Sequence, residues 1–300
     1  MPRRSRRFFL YSITALVPVI GLLTATAVSA SARTITLRPA PTSAVAQAAA
    51  LAKAEIKKLT IGQPGSGQRQ GIVSPRIISP PGHIHGQSQV QSTNWSGYAD
   101  TGSSFSKVSA SWSEPSATCS SSTTQLAAFW VGIDGYSSSS VEQDGTMIEC
   151  YQRRAYQYTW WEMYPTNAVQ IVGQTAAAGD AITATVTKSG TSYALTVTDA
   201  THTADSFTVT ETCSSSSCVD SSAEWIAEAP SGSSGVYPLA NFGSWTASNA
   251  SVTEGTTSGV ISSFTDDEIT MINSSGATKA LPGALNSSGN GFSVAWERST

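Results

Sequence analysis

SSAEWIAEAP, residues 221–230, is the stretch on which the reading of this chain turns. Its centre, Ala223-Glu224-Trp225-Ile226-Ala227-Glu228, contains an aromatic and a β-branched residue, both suited to a pleated surface. Side chains in a strand alternate between faces. As a strand, the segment places Glu224, Ile226 and Glu228 on one face and Trp225 and Ala227 on the other. One face thus carries two carboxylates in a chain with only 12% charged residues.

The surroundings agree with a strand. Ser, Thr, Gly and Ala dominate the last two thirds of the 300 residues, and long helix-type apolar spacing is hard to find there. Many short strands joined by turns are expected, hence an all-β domain from Ser92 to Thr300.

The N-terminal third reads differently. MPRRSRRFF supplies four arginines, an apolar run follows, and AVSASA offers small residues for cleavage. This layout predicts a signal peptide over residues 1–32, hence secretion and no membrane attachment afterwards. Residues 33–91 read as a propeptide: a helix over about 44–59, then a Pro/Gly-rich tether. That segment carries a net +6, whereas the body from Ser92 onward has six Lys or Arg against nineteen Asp or Glu, a net −13. An acidic body argues against nucleic-acid binding and gives the basic leader a surface to dock on.

Four cysteines in a secreted chain suggest disulfides. Cys213 and Cys218 flank a short loop, leaving Cys119 with Cys150, although four cysteines allow three connectivities. A zinc site on the cysteines does not fit their spacing, and neither a metal nor a cofactor is expected. The body's one histidine, His202, sits in a turn between two strand-like runs, TSYALTVTDA and DSFTVTET, where a solvated role is expected. No GxSxG elbow or HExxH occurs, and the lone ADTGSS is half of what a paired-aspartate protease needs.

Two more stretches put acids among aromatics. FWVGID places Trp130, Gly132 and Asp134 on one strand face, and YTWWEMYP places Trp160, Glu162 and Tyr164 on one face. With the opening stretch they predict a sheet surface that is aromatic and acidic, as a binding cleft would be.

STNWSGY (92–98), WVGIDG (130–135), the glutamine soon after it, WWEMYP (160–165) and AEWIAE (223–228) together resemble the glutamic peptidases, or eqolisins. The resemblance implies a concanavalin-like β-sandwich of two antiparallel sheets. It also implies a secreted, pepstatin-insensitive acid endopeptidase, made with an inhibitory propeptide and acting on polypeptides through one Gln and one Glu. Carried onto this chain, the pair is Gln143 and Glu228, with Gln152 and Gln157 as alternatives to the former. Glu224 is then a supporting or rim residue, and Trp130, Asp134, Trp160, Glu162 and Tyr164 line the cleft. A glutamate, with an unperturbed pKa near ~4.3, can take a proton from water and return it to the leaving amine. An amide can donate to the developing oxyanion without titrating. A monomer is expected. The rival readings are a glycoside hydrolase using Glu162 and Glu228 and a carbohydrate-binding sandwich.

Overall fold

The computed structural model describes residues 88–213, 218–232 and 234–300. The expected signal peptide, the leader helix and almost all of the tether lie outside these residues. Among the described residues no helix is long and apolar enough to cross a membrane.

In chain order the strands are β1 (Ser88–Ser92), β2 (Trp95–Thr101), β3 (Phe105–Ser113), β4 (Gln125–Ile133), β5 (Val141–Tyr151), β6 (Arg154–Tyr164), β7 (Asn167–Ile171), β8 (Ala181–Ser189) and β9 (Ser192–Asp199). There follow β10 (Phe207–Thr212), β11 (Ser222–Glu228), the short pair β12 (Ser231–Gly232) and β13 (Gly235–Val236), β14 (Ser244–Glu254), β15 (Thr257–Gly259), β16 (Thr265–Ile272), β17 (Thr278–Pro282) and β18 (Phe292–Trp296). The opening stretch is therefore a strand, as its alternation predicts. Ser88–Gln91, read above as the end of the tether, belong to β1, which runs parallel to β16 with Val90 buried.

The strands form two facing sheets. The front sheet runs β18-β17-β16-β2-β11-β4-β5-β6-β7, and the back sheet β10-β9-β8-β3-β14. The long strand β14 belongs to both: residues 244–247 pair with β18, and the register shifts before the rest pairs with β3. Such an irregularity lets a strand bend from one layer into the other.

The two sheets bury a common core. Ala127, Phe129, Val131 and Ile133 of β4 and Ala223, Trp225 and Ala227 of β11 face β3, β8 and β9. Phe129 stacks on Trp245 at 5.4 Å, and Trp112 meets Trp245 edge-on at 5.7 Å. Each such side chain contributes roughly 1.5–3 kcal/mol by burial. Disulfides join Cys119 to Cys150 and Cys213 to Cys218, the two pairs the spacing suggested. The outer face of the front sheet carries a second apolar cluster, with Trp95, Trp130, Met147, Trp160 and Ile226.

Candidate active site

Strand order and register decide which polar groups meet on that outer face. Adjacent strands lie about 4.8 Å apart and directly paired residues point the same way. Reading across the front sheet, Asp267 of β16 pairs with Ala99 of β2, and Ala99 with Glu224 of β11. Glu224 pairs with Gly132 of β4, Gly132 with Gln143 of β5, and Gln143 with Glu162 of β6. Glu224 and Gln143 thus lie in one row with only a glycine between them. A Cβ at Gly132 would stand 2.9 Å from the Trp130 ring and 3.3 Å from Gln143 Cβ. The missing side chain keeps the space between amide and carboxyl open.

At the far end of the row Gln143 Nε2 donates to Glu162 Oε2 at 2.8 Å. This bond fixes the amide, presenting its nitrogen toward the acid. Glu224, Gln143 and Glu162 are all fully buried. Burial pushes the Glu224 carboxyl well above the usual carboxylate range, and the charges of Asp134 and Glu142 push the same way. The nearby Ser222 hydroxyl and Tyr136 backbone N–H oppose this, although neither Glu224 oxygen completes a hydrogen bond among the described residues. Beside the row Tyr136 donates its phenol to Asp267 at 2.6 Å, spanning from the β4–β5 loop to β16.

Glu228 shares the face but not the row. It pairs with Trp95 of β2 and Ala128 of β4, four residues along β11 from Glu224. At ~3.3 Å per residue and two strand spacings, its Cα lies roughly 16 Å from that of Gln143. The Glu228 carboxylate is also held: Trp130 Nε1 donates to it at 3.0 Å and Asn94 Nδ2 at 3.2 Å. The register therefore does not bring Glu228 level with Gln143, the partner expected for it. The residue facing Gln143 is Glu224, which the sequence assigned to the rim. Gln152, the first alternative to Gln143, lies in the turn after β5 with a φ of 50°. Gln157 is held by the carbonyl of Pro115 at 2.7 Å.

The other lining residues divide. Trp130 lies on the outer face, edge-on to Trp95 with ring centroids 5.1 Å apart. Trp160 is buried on the same face, and Tyr164 packs at its margin. The indole N–H groups of Trp95 and Trp160 are buried with no hydrogen-bond partner among the described residues, and such donors are costly to leave unmade. Asp134 does not line the cleft. It follows β4 with a φ of 68°, and its carboxylate accepts the backbone N–H groups of Val219, Asp220 and Ser221 at 2.8–2.9 Å and the Ser221 hydroxyl at 3.0 Å. Strand alternation fails there because the backbone turns left-handed. Asp134 instead anchors the approach to β11 and thereby helps set the register of Glu224. The sequence reading also missed Gly132 as a spacer, Trp95 and Tyr136. A small residue in phase with Trp130 was the available signal for the first.

The Peptidase A4 family is matched over residues 93–296. Aspergillopepsin-2 of Aspergillus niger is 28% identical over 186 residues, 55% of this chain and 65% of that protein. Scytalidopepsin B of Scytalidium lignicola is 34% identical over 143 residues, 46% of this chain and 53% of that one. The chain thus spans less than two thirds of the length of either relative. Scytalido-glutamic peptidase, solved with a peptide-based transition-state analogue, superposes with a TM-score of 0.57 at 26% identity, covering 68% of this chain and 98% of that one. SCP-B, an eqolisin solved with the tripeptide Ala-Ile-His, gives 0.55 at 25% identity over the same shares.

Proposed function

The chain belongs to the Peptidase A4 family, and from that premise we propose that it is a secreted glutamic endopeptidase whose working pair is Gln143 and Glu224. The observation that carries this reading is the single row Glu224–Gly132–Gln143–Glu162 on the outer face of the front sheet.

A peptide carbonyl seated over Gly132 has the Gln143 amide on one side and the Glu224 carboxyl on the other. The ionised form of Glu224 takes a proton from the attacking water. Burial makes that form costly, so at acid pH it is the minor form, and for the same reason it is a stronger base than an ordinary glutamate. Gln143 donates an N–H to the carbonyl oxygen as that oxygen becomes negative. Glu162 holds the amide in the donating orientation. Glu224, now protonated, gives its proton to the leaving nitrogen as the C–N bond breaks, so it ends the cycle ionised. The indole donors of Trp95 and Trp160 are suited to main-chain carbonyls of an extended polypeptide. Glu228, held by Trp130 and Asn94, fixes the wall of the cleft.

A two-carboxylate glycosidase is not favoured. Glu162 and Glu228 lie three strand spacings and four residues apart, roughly 19 Å between Cα atoms, and such pairs need their carboxyls within about 5–9.5 Å. We further read the basic segment that precedes β1, residues 33–87, as a propeptide that covers the acidic body until acid releases it, and the protein as a secreted monomer.

The test is hydrolysis of denatured casein at acid pH in the presence of pepstatin. Wild type cleaves, and Gln143→Ala loses about 10²–10³ in rate, as removal of an oxyanion donor does. Undiminished cleavage by folded Gln143→Ala overturns the assignment.

A further inference from the structure

On the back sheet, away from the row just described, three ligand-type side chains meet at one end of β8 and β9. Asp180 immediately precedes β8, Asp199 ends β9, and His202 lies in the connection to β10. One oxygen of each carboxylate and a ring nitrogen of His202 all lie within 4.8 Å of one another. We propose that Asp180, Asp199 and His202 form a binding site for a divalent transition-metal ion of the zinc class, which staples the β8–β9 end of the back sheet to the β9–β10 connection.

Both carboxylates are buried, Asp180 to 3% and Asp199 to 0% exposure, and both are held by the backbone. Asp180 Oδ2 accepts the Ala177 N–H at 2.8 Å. Asp199 Oδ1 accepts the N–H groups of Thr201 and His202 at 2.8 and 2.7 Å. These bonds leave Asp199 Oδ2 buried with no geometric hydrogen-bond partner among the described residues, while the Asp199 side chain lies close enough to interact with that of Asp180. A buried carboxylate oxygen in that position lacks compensation that a cation would supply. Two more buried acids interact electrostatically with the cluster, Glu114 with Asp180 and Asp199, and Asp205 with His202. Against them, His202 is the one basic group that pairs there among the described residues, its Nδ1 standing 2.7 Å from Asp180 Oδ2.

The donor set selects the ion. Calcium takes six to eight oxygens, whereas two carboxylates and an imidazole suit zinc and its neighbours. Zinc bonds of about 2.0–2.2 Å put tetrahedral ligands roughly 3.4 Å apart. No separation has to close by more than about 1.4 Å, while His202 Nδ1 and Asp180 Oδ2, now 2.7 Å apart, have to move apart to admit the ion. The movement falls to His202, whose side chain is 45% exposed while the carboxylates are fixed. Water completes the fourth position from the open side. The site lies on the opposite layer from Gln143 and Glu224, so its role is structural.

The test uses the full chain with His83 and His85 of the leader changed to alanine, so that those imidazoles do not bind the probe. After treatment with a chelator, zinc chloride is titrated at pH 7.5 by calorimetry, and cobalt chloride is followed by visible absorption. One zinc per chain is expected at micromolar affinity or better, with a cobalt spectrum of a nitrogen–oxygen site and a higher Tm. His202→Ala removes an exposed ligand without disturbing the fold and should weaken binding at least tenfold. Asp199→Asn should do the same. The proposal is overturned by no saturable binding up to 1 mM zinc, or by the same affinity in His202→Ala as in its parent; the cluster is then an ion pair only.

Discussion

Asp100→Asn should make this protein less sensitive to neutral pH. Several buried carboxyls are held protonated by the fold. Burial, then Asp266 and Glu254, push Asp100 up to about 9. Burial, then Asp134 and Asp220, push Glu142 up to about 9. Glu114 is pushed by burial to about 8, against hydrogen bonds from Thr146 and Trp112. Burial raises Asp144 well above the carboxylate range. A carboxyl whose folded pKa exceeds its unfolded value binds its proton more tightly when folded. Its contribution is complete below about pH 4 and declines as pH rises from there toward the folded pKa. Each such group lowers stability by about 1.4 kcal/mol per pH unit in that window. Asp100, Glu142 and Glu114 all act in this direction, so stability should fall steadily between about pH 4.5 and 7. His202 acts in the same sense: its pKa is raised, chiefly by the hydrogen bond to Asp180, so its contribution also fades as pH rises. The assay is urea unfolding from pH 3.5 to 7 in a Gln143→Ala chain, which avoids self-digestion. The midpoint should fall steadily with pH. Asn at position 100 cannot ionise and should flatten the slope by about 1.4 kcal/mol per unit, whatever constant cost the amide adds. A midpoint that is level or rises toward pH 7, or an unchanged slope in Asp100→Asn, refutes the reasoning.

Gly132→Ala puts a methyl against the Trp130 ring and Gln143 Cβ; casein hydrolysis should fall at least tenfold, with a stability loss of about 1–3 kcal/mol by thermal melting. Glu162→Gln replaces the carboxyl that orients Gln143 by an amide, so kcat should fall about tenfold or more with KM little changed. Asp134→Ala strands three buried or half-buried backbone N–H groups and should cost about 3 kcal/mol or more in urea unfolding.

Much of the architecture was legible because alternation is local. AEWIAE, FWVGI and YTWWEMY are strands with the faces expected, and His202 does lie between two strands. Cys213 and Cys218 were close enough in sequence for their bridge to be read. Three features were not legible. Glu224 and Glu228 have the same parity on β11, so alternation cannot separate them. Only the pairing of β11 with β4, far apart in the chain, together with that of β4 with its neighbour β5, brings Glu224 level with Gln143. Asp134 was misread because parity stops where the backbone adopts a positive φ. The Asp180–Asp199–His202 cluster likewise depends on the register of β8 with β9, which no motif announces.

The most direct measurement compares Glu224→Gln and Glu228→Gln, both confirmed as folded by circular dichroism, for kcat on one peptide substrate at acid pH. Glu224→Gln keeps the shape of the row and removes the base, so kcat should fall by about 10²–10⁴ or more. Glu228→Gln keeps hydrogen-bonding capacity toward Trp130 and Asn94 and should retain a tenth or more of the wild-type rate. A near-wild-type Glu224→Gln alongside an inert Glu228→Gln contradicts the assignment.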